Sequence, residues 1–446
     1  MVRLPIPHHN FRLLRPHRCP HRTFQPAFST MATREGLQIS HLNVTFPYRW
    51  LRDSCNCPSC VHPSTQQKLH RSSDIPASIA PESVETTANE DGVHVIWAGT
   101  DQHRSFFPRT FLEAHANDTA LHAFHHDVPA VLWSTASALL AASGEDLEVP
   151  YNDLGTPRGL LRAITQLQRT GLLFVRGVPH FDTSDSGCEI RQLAARFAEL
   201  RETFYGAVWD VKNIMNSRNI AYTNLFLRLH MDLQYFESPP RYQILHCLRN
   251  RVFGGTSLFV DAFAAAASLR TTYPEDFMRL ATIPVPFQYI NDGRHLHHAH
   301  PTISLSCPPA AAAAAAPPLR KRRRRRRAAI VAVSYSPPFQ APLPRDTPPA
   351  FYDSLSRFAA LVDAPAAVYA RQFSEGDAVV FDNRRVLHGR TAFENKSASE
   401  KEKERESEMM EVVGESNRWL KGCYFEGDLM ANHARILRAR VALGEI

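Results

Sequence analysis

The sequence has little cysteine, no long apolar run and, in its first 34 residues, no acidic side chain. Eight cysteines among 446 residues are too few for a disulfide scaffold and favour a reducing, intracellular compartment. No stretch approaches the ~18 consecutive apolar residues of a membrane helix, which argues against an integral membrane protein. Hydrophobic residues still make up 44% of the chain, enough for a sizeable core.

The net charge of +7 comes from two short segments. Residues 1–34 contain six arginines and no acid, and residues 320–327 are eight consecutive basic residues. Because these fourteen charges exceed the net charge, the rest of the chain is acidic overall. This distribution argues against a general nucleic-acid-binding protein.

The basic N-terminal segment predicts that the protein is targeted to an organelle. Its arginines are interleaved with Leu, Phe, Ser, Thr and Pro, which is typical of a mitochondrial transit peptide and assigns residues 1–35 to one. The alternative is a disordered tail, with Met31 as the true start and a cytoplasmic enzyme.

The remaining chain divides by pattern. Residues 36–130 carry short β-type runs, at 42–46 and 94–97, and predict a small β domain. Residues 150–446 predict a larger domain, with a helix at 160–168, a strand at 171–178 and a strand followed by a basic helix after 417. Two low-complexity insertions, 308–329 and 396–416, interrupt it and are predicted to be solvated loops. The basic run in the first insertion could alternatively be a nuclear localisation signal.

One histidine–carboxylate pattern points to iron chemistry. In His230-Met231-Asp232, strand alternation would place His230 and Asp232 on one face, and an apolar strand leads to His388. Two histidines and one carboxylate that leave three coordination positions open are typical of a non-haem Fe(II) oxygenase, in which a keto acid and oxygen need those positions. The alternative for each histidine is an ordinary core or surface residue. A second histidine cluster is predicted to be a surface loop and comprises His295, His297, His298 and His300.

A cysteine cluster predicts a second metal. Cys55, Cys57 and Cys60 form C-x-C-x-x-C, which in a reducing compartment indicates a structural, tetrahedral zinc site lacking one ligand. His62 and His70 are nearby candidates for that ligand. Three unligated cysteines on a loop are the alternative.

Several motifs occur in an ordered series. They are Tyr222-Thr223-Asn224 before His230-x-Asp232, Gln-Ile-Leu-His-Cys at 243–247, Gly-Gly-Thr-Ser at 254–257, the run at 381–390, and residues 418–424. The series resembles the gamma-butyrobetaine dioxygenase family, within the taurine-dioxygenase-like Fe(II)/2-oxoglutarate oxygenases. The resemblance covers most of residues 45–440 apart from the insertions. It implies a mainly β chain with flanking helices: a small zinc-binding β domain followed by a double-stranded β-helix (jelly-roll) catalytic domain.

The resemblance also implies ligands and cofactors. Fe(II) would be held by His230, Asp232 and His388, and zinc by the three cysteines with His103. The co-substrate 2-oxoglutarate would bind Arg418, whose planar guanidinium suits a carboxylate, and Ser257. Arg390 is the second candidate for that arginine, and ascorbate would serve as reductant.

Aromatic residues carry the substrate prediction. Tyr205 and Trp209 are four residues apart and would share one face of a helix. With Tyr222 and Tyr424 they resemble the family's cage for a trimethylammonium group, which has no N–H and binds aromatic faces through cation–π attraction. Asn219 matches a residue that binds the substrate carboxylate. A second asparagine does not appear, because residues 333–338 read Val-Ser-Tyr-Ser-Pro-Pro.

The sequence and the resemblance therefore predict a mitochondrial hydroxylase that uses O2 and converts gamma-butyrobetaine to L-carnitine, and the resemblance suggests a homodimer. Trimethyllysine dioxygenase is the nearest alternative: the basic N-terminal segment favours it, whereas the tight cysteine motif and Phe-Tyr-Gly-x-x-Trp favour the butyrobetaine enzyme. A hydroxylase of an unrelated small substrate would fit the missing asparagine. A nucleus-directed binding protein would use the basic run, and its prediction is tested by deleting that run.

Overall fold

A computed structural model describes residues 29–86, 91–99, 102–213, 219–306, 328–395 and 417–446. The chain divides into two units, one ending at His125 and the other beginning at His126. Most of the predicted transit peptide, the basic run and the insertion 396–416 lie outside the described residues. No helix within the described ranges is long and apolar enough to cross a membrane.

The described part of the first unit contains two small antiparallel sheets and three short α-helices. Its elements are β1 (Thr30–Ala32), β2 (Gly36–Ile39), β3 (Val44–Pro47), α1 (Tyr48–Asp53), β4 (Pro81–Glu85), β5 (Gly92–Trp97), β6 (Arg104–Pro108), α2 (Arg109–Ala114) and α3 (Asp118–Phe124). In β5 the residues Val93, Val95 and Trp97 alternate into the core, as the apolar run at 94–97 predicts. The indole of Trp97 donates to Ser105 Oγ at 2.9 Å, so its polar atom is satisfied inside this core.

The second unit is mainly β with flanking helices. Its strands are β7 (Glu148–Pro150), β8 (Leu172–Arg176), β9 (Trp209–Lys212), β10 (Leu227–His230), β11 (Tyr242–Asn250), β12 (Val252–Gly254), β13 (Ser257–Asp261), β14 (Pro284–Asn291), β15 (Arg294–Pro301), β16 (Ile303–Leu305), β17 (Ile330–Val333), β18 (Tyr369–Arg371), β19 (Ala378–Asp382), β20 (Val386–Arg390), β21 (Phe393–Asn395) and β22 (Arg418–Phe425). Its helices are α4 (Ala136–Ser143), α5 (Pro157–Thr170), α6 (Ile190–Phe197), α7 (Ala262–Thr272), α8 (Pro274–Leu280), α9 (Pro349–Val362) and α10 (Gly427–Ala442).

Two sheets carry most of the predicted site residues. The major sheet has the strand order β7-β8-β19-β11-β22-β9, and the minor sheet has the order β10-β20-β13-β18. In the major sheet Gln243 of β11 lies opposite Phe381 of β19 and Tyr424 of β22. In the minor sheet His230 lies opposite His388, so strand pairing brings two distant histidines together.

The helix α5 shows how local signals set an element. Thr156 caps it by accepting from the Gly159 N–H, Pro157 occupies the first turn, and Gly171 ends it with φ of 77°. Its buried face includes Ile164 and Leu167, and β8 follows directly. The predicted helix at 160–168 and strand at 171–178 are both present.

The histidine cluster at 295–300 is not a loop, so that prediction is wrong. All four histidines lie in β15, which pairs along its full length with β14. The strands are joined through Asp292 and Gly293, whose φ values of 48° and 70° are those of a tight hairpin turn. The Asp-Gly pair was the signal. The polar histidines are accommodated because every residue of β15 is exposed or half-buried, and because His300 Nε2 lies 2.8 Å from the Phe236 carbonyl.

Tyr205 and Trp209 do not lie on one helix, so the expectation of a shared helix face is also wrong. Residues 203–206 form a turn in which Gly206 has φ of 93°, and Trp209 begins the strand β9. A left-handed glycine interrupts a helix at this point. The two rings still approach each other, with centroids 6.3 Å apart.

Candidate active site

Two histidines and one aspartate converge at the end of β10. His230 Nε2 lies 3.3 Å from Asp232 Oδ1, and His388 Nε2 lies 3.9 Å from Asp232 Oδ2. The imidazole centroids are 4.3 Å apart, and one donor atom from each residue lies within 4.8 Å of the other two. This spacing lets one cation contact all three side chains.

Asp232 reaches this position by a turn and not by strand alternation, which corrects the predicted geometry. The strand β10 ends at His230, and Leu233 has φ of 58°. Asn383, directly after β19, accepts from the Asp232 N–H at 2.8 Å and donates to the carbonyls of Asp232 and Pro240, both at 3.1 Å. Sequence reasoning assigned no role to Asn383, although a polar residue closing a buried strand was visible.

The protonation states suit a divalent metal. His230 Nδ1 lies 2.8 Å from the Arg228 carbonyl and donates to it, so its Nε2 lone pair faces Asp232. Burial, and then the charge of His230, lower the pKa of His388 to about 3, which keeps this imidazole neutral. Burial would raise the pKa of Asp232, but the neighbouring imidazoles and the Tyr424 hydroxyl hold it well below its usual value. Neutral nitrogens beside an ionised carboxylate are the donor set that Fe(II) takes in such sites.

All predicted iron, co-substrate and substrate residues line one pocket. They are Tyr205, Trp209, Asn219, Tyr222, His230, Asp232, Ser257, His388, Arg418 and Tyr424. The major sheet contributes β9, β11 and β22, and the minor sheet contributes β10, β13 and β20. Sequence reasoning missed further lining residues, namely Leu233, Tyr235, Gln243, Leu245, Phe339 and Leu420.

The two pocket arginines have different surroundings. Arg390 donates to the carbonyls of Ala221, Thr223 and Leu225 at 3.1, 2.6 and 3.2 Å, so its guanidinium holds the segment around Tyr222. Among the contacts of Arg418, Nη2 donates to the Gly255 carbonyl at 3.4 Å, and the guanidinium lies 5.4 Å from the centroid of the Phe393 ring. Burial lowers the pKa of Arg390 to about 9 and of Arg418 to about 10, which leaves both cationic at neutral pH.

Aromatic rings form the other part of the pocket. The Trp209 and Tyr424 rings stack with centroids 4.1 Å apart, and the Tyr424 hydroxyl donates to Asp232 Oδ2 at 2.8 Å. The stack depends on Gly422, because a Cβ there would lie 2.4 Å from the Trp209 ring. One tyrosine therefore contacts both the indole and the carboxylate of the His-Asp-His donor group.

Asn219 and Tyr222 flank a short 3-10 turn at Ile220–Tyr222. Asn219 Oδ1 accepts from the Ala221 N–H at 3.0 Å, and its Nδ2 donates to the Tyr205 hydroxyl at 3.4 Å. Burial, followed by the charge of Asp232, raises the pKa of Tyr222 to about 12, so this phenol is neutral. From the region that lacks the second asparagine, Tyr335 contributes its carbonyl to the Met231 N–H, and Phe339 reaches the pocket.

A separate cluster lies in the first unit. His103 Nε2 is 3.4, 3.7 and 3.5 Å from the sulfurs of Cys55, Cys57 and Cys60. The other histidine candidates have different neighbours: His62 Nδ1 is 3.3 Å from Ser64 Oγ, and His70 Nε2 is 3.3 Å from Asp53 Oδ1. Three sulfurs and one nitrogen thus form a compact four-donor group within the described residues.

The fold and this donor set define a class of protein, the mainly β oxygenases with two histidines and one carboxylate at the iron site. The chain belongs to the taurine catabolism dioxygenase TauD, TfdA family, whose profile matches residues 135–413. The profile of the gamma-butyrobetaine hydroxylase-like N-terminal domain matches residues 33–113. The predicted family is confirmed, and the protein is an Fe(II)/2-oxoglutarate-dependent dioxygenase.

Individual relatives span nearly the whole chain. Dioxygenase str8 of Strobilurus tenacellus is 46% identical over 91% of this chain and 88% of its own length. Gamma-butyrobetaine dioxygenase of Pseudomonas sp. is 30% identical over 94% of this chain and 98% of its own length. Human mitochondrial trimethyllysine dioxygenase is 25% identical over 97% of this chain and 93% of its own length. These three relatives carry three different enzyme names, so kinship alone does not select one substrate.

Proposed function

We propose that this dioxygenase hydroxylates a small trimethylammonium substrate, with gamma-butyrobetaine, giving L-carnitine, as the leading candidate. The observation that carries the proposal is that Tyr205, Trp209, Tyr222 and Tyr424 line the same pocket as the iron-type donor set. A quaternary ammonium group is attracted to the negative faces of such rings and needs no hydrogen-bond acceptor. The 30% identical gamma-butyrobetaine dioxygenase supports this substrate class.

In this proposal His230, Asp232 and His388 hold Fe(II). When bound, the iron and 2-oxoglutarate activate O2 for hydroxylation, with release of succinate and CO2. Arg418 pairs with the distal carboxylate of 2-oxoglutarate and Ser257 donates a hydrogen bond to it. Asn219 binds the carboxylate of the substrate, and the aromatic rings hold its cationic end away from water.

The test is succinate formation from 2-oxoglutarate, with iron and ascorbate, across a panel of trimethylammonium compounds. A neutral analogue with a tert-butyl carbon in place of the nitrogen keeps the shape and removes the charge, so it should bind several-fold worse. Trp209→Leu should raise the Michaelis constant about 5- to 30-fold, since a desolvated cation–π contact contributes roughly 1–2 kcal/mol. Equal binding of the charged and neutral compounds would exclude a cation-reading pocket.

The iron ligands have their own test. His230→Ala, Asp232→Ala and His388→Ala should each abolish turnover and weaken Fe(II) binding, because two ligands cannot hold the metal with an open face. Fe(II) titration followed by metal analysis separates lost binding from misfolding. Near wild-type activity in a variant with loaded iron would exclude that residue as a ligand.

A hydroxylase of an unrelated small substrate is the second candidate. It is favoured by the 46% identity to a differently named enzyme, Dioxygenase str8, and by the absence of asparagine from residues 333–338. The same panel decides between them: uncoupled or absent turnover with every trimethylammonium compound would favour this candidate. Turnover with trimethyllysine but not gamma-butyrobetaine would identify the third, a trimethyllysine dioxygenase.

We further propose that residues 36–130 form a structural zinc domain with Cys55, Cys57, Cys60 and His103 as ligands. A tetrahedral zinc with Zn–S of about 2.3 Å and Zn–N of about 2.0 Å separates sulfur from nitrogen by roughly 3.5 Å. The distances of 3.4–3.7 Å from His103 to the sulfurs agree with that geometry. Four protein ligands leave no position for substrate, so the role is structural.

Localisation and assembly are also proposed, on the basis of the composition of the chain and of the names of its relatives. Residues 1–35 would direct the enzyme to mitochondria, supported by their arginine content and by relatives named mitochondrial trimethyllysine dioxygenase. Fusion of these residues to a reporter tests this, and a cytoplasmic reporter would overturn it. A homodimer is tested by the molecular mass in solution. The assignment of 150–446 to a catalytic domain, with 308–329 and 396–416 as solvated insertions, is tested by limited proteolysis.

A further inference from the structure

One pocket residue has neither a partner nor a role in the proposed function. Gln243, in β11, is 2% exposed and lines the pocket. Its Oε1 is buried without a hydrogen-bond partner. Buried amide groups in folded proteins are normally satisfied, so a pocket-lining carboxamide that makes no side-chain hydrogen bond indicates a group left for a ligand.

The other fully buried glutamines behave differently. Gln166 and Gln234 also have a buried Oε1 without a partner, but their amide nitrogens donate inside the protein. Gln166 Nε2 donates to Ser143 Oγ at 2.7 Å, and Gln234 Nε2 donates to the Asp232 carbonyl at 3.1 Å. Gln243 forms no side-chain hydrogen bond with any residue in the described parts of the chain. Its whole carboxamide is therefore available to a ligand.

Strand register places this carboxamide beside the metal site. Gln243 lies opposite Tyr424, whose hydroxyl donates to Asp232, and opposite Phe381, whose ring is 4.8 Å from that of His388. The aromatic pocket wall at Trp209 belongs to β9, which is separated from β11 by β22. Gln243 therefore lies at the level of the metal ligands, next to Tyr424 of the proposed substrate cage and one strand further from Trp209.

We propose that Gln243 is a co-substrate-binding residue that donates its amide N–H to the metal-binding end of 2-oxoglutarate. The keto acid must present its carboxylate and keto oxygens to the metal, and these are hydrogen-bond acceptors located where Gln243 lies. Arg418 then holds the far carboxylate and Gln243 the near end, which fixes the keto acid at both ends. The inference rests on the proposed placement of iron and co-substrate.

The test uses the full chain loaded with Fe(II) and titrated with 2-oxoglutarate without oxygen. Binding is followed by the visible charge-transfer band of the iron–keto acid complex. Gln243→Met keeps the length of the side chain and removes the donor, so the dissociation constant should rise about 10- to 100-fold, as for loss of a hydrogen bond to a charged group. Gln243→Glu should weaken binding further, because it places two anions together. Gln166→Met is the matched control, and should leave keto-acid binding unchanged.

The outcomes separate the inference from the proposed function. If the wild-type protein with iron gives no band with 2-oxoglutarate, the proposed iron and co-substrate placement fails. If the wild type binds and both Gln243 variants, checked by thermal unfolding and iron content, bind equally well, the inference fails. If Gln243→Glu instead tightens binding of a trimethylammonium compound and leaves 2-oxoglutarate binding unchanged, Gln243 faces the substrate and the inference is again overturned. Should one variant not fold, the other decides.

Discussion

At the residue scale, Tyr424 combines two contacts that are usually made by separate side chains. Its ring stacks on Trp209, and its hydroxyl donates to Asp232 Oδ2. The hydrogen bond fixes the carboxylate in the orientation in which its other oxygen faces His230. Hydrogen bonds to a metal-binding carboxylate orient it and raise metal affinity.

We therefore expect Tyr424→Phe to act on the metal more than on substrate contacts. The ring remains, but the hydroxyl is lost, and loss of such a partner weakens metal binding about 10- to 100-fold. Tyr205→Phe is the control, because the Tyr205 hydroxyl contacts Tyr235 and Asn219 and no metal-site residue. Titration with Fe(II) measures both variants, and equal metal affinity for the two would contradict the prediction.

Substitutions of the two pocket arginines should affect different ligands. Arg418→Lys keeps the charge but loses the planar, two-pronged donor, so the dissociation constant of 2-oxoglutarate should rise about 10- to 100-fold. Arg390→Lys should lose the contacts to the carbonyls of residues 221–225 and loosen the segment around Tyr222. Its main effect should be on the Michaelis constant for substrate. The reverse pattern would assign the co-substrate to Arg390.

At the element scale, close packing of β9 on β22 sets the position of the indole. Trp209 lies opposite Gly422, and a Cβ on Gly422 would approach the indole to 2.4 Å. Gly422→Ala should therefore displace Trp209, raise the Michaelis constant for substrate and shift tryptophan fluorescence. Gly155→Ala is the control, since its added Cβ would meet only the flexible end of Arg196 at 3.3 Å. Unchanged fluorescence and kinetics in Gly422→Ala would contradict this prediction.

Elements with a strong local signal could be predicted, whereas those set by distant partners could not. The helix α5 carries a capping threonine, an early proline and a terminal glycine, all visible in sequence. The strand β15 looks polar and irregular, and it becomes a strand because β14 pairs with it. The spacing of Tyr205 and Trp209 fits a helix, but the chain turns at Gly206, whose φ is 93°.

At the scale of the whole molecule, the same limit applies to the site. The ordered motifs brought ten of the pocket residues into one hypothesis through the family resemblance. Asn383 could not be found in this way, because it is separated by 151 residues from Asp232, whose backbone it binds on both sides. A contact between residues so far apart in sequence depends on how the strands pair, and no local sequence pattern records that pairing.

The two groups of candidate metal ligands should respond differently to metal removal. The iron-type group has three protein donors and lies in a pocket, so a chelator should remove the metal and leave the fold intact. The four-donor group of the first unit has no open position, and zinc bound by such groups contributes directly to folding. Carefully purified protein should thus hold about one tightly bound zinc per chain that resists mild chelation.

Substitution separates the structural contribution of zinc from chelation itself. Cys57→Ser removes one sulfur from the cluster and should lower both the zinc content and the unfolding temperature, while 2-oxoglutarate binding per iron-loaded chain stays near the wild-type value. Ser59→Ala, an exposed change in the same turn, is the control and should alter neither property. Because four ligands exclude substrate from the zinc, an effect of Cys57→Ser on stability without a matching change in ligand affinity is the expected signature. Zinc-free protein with full stability would show that the four donors form no metal site.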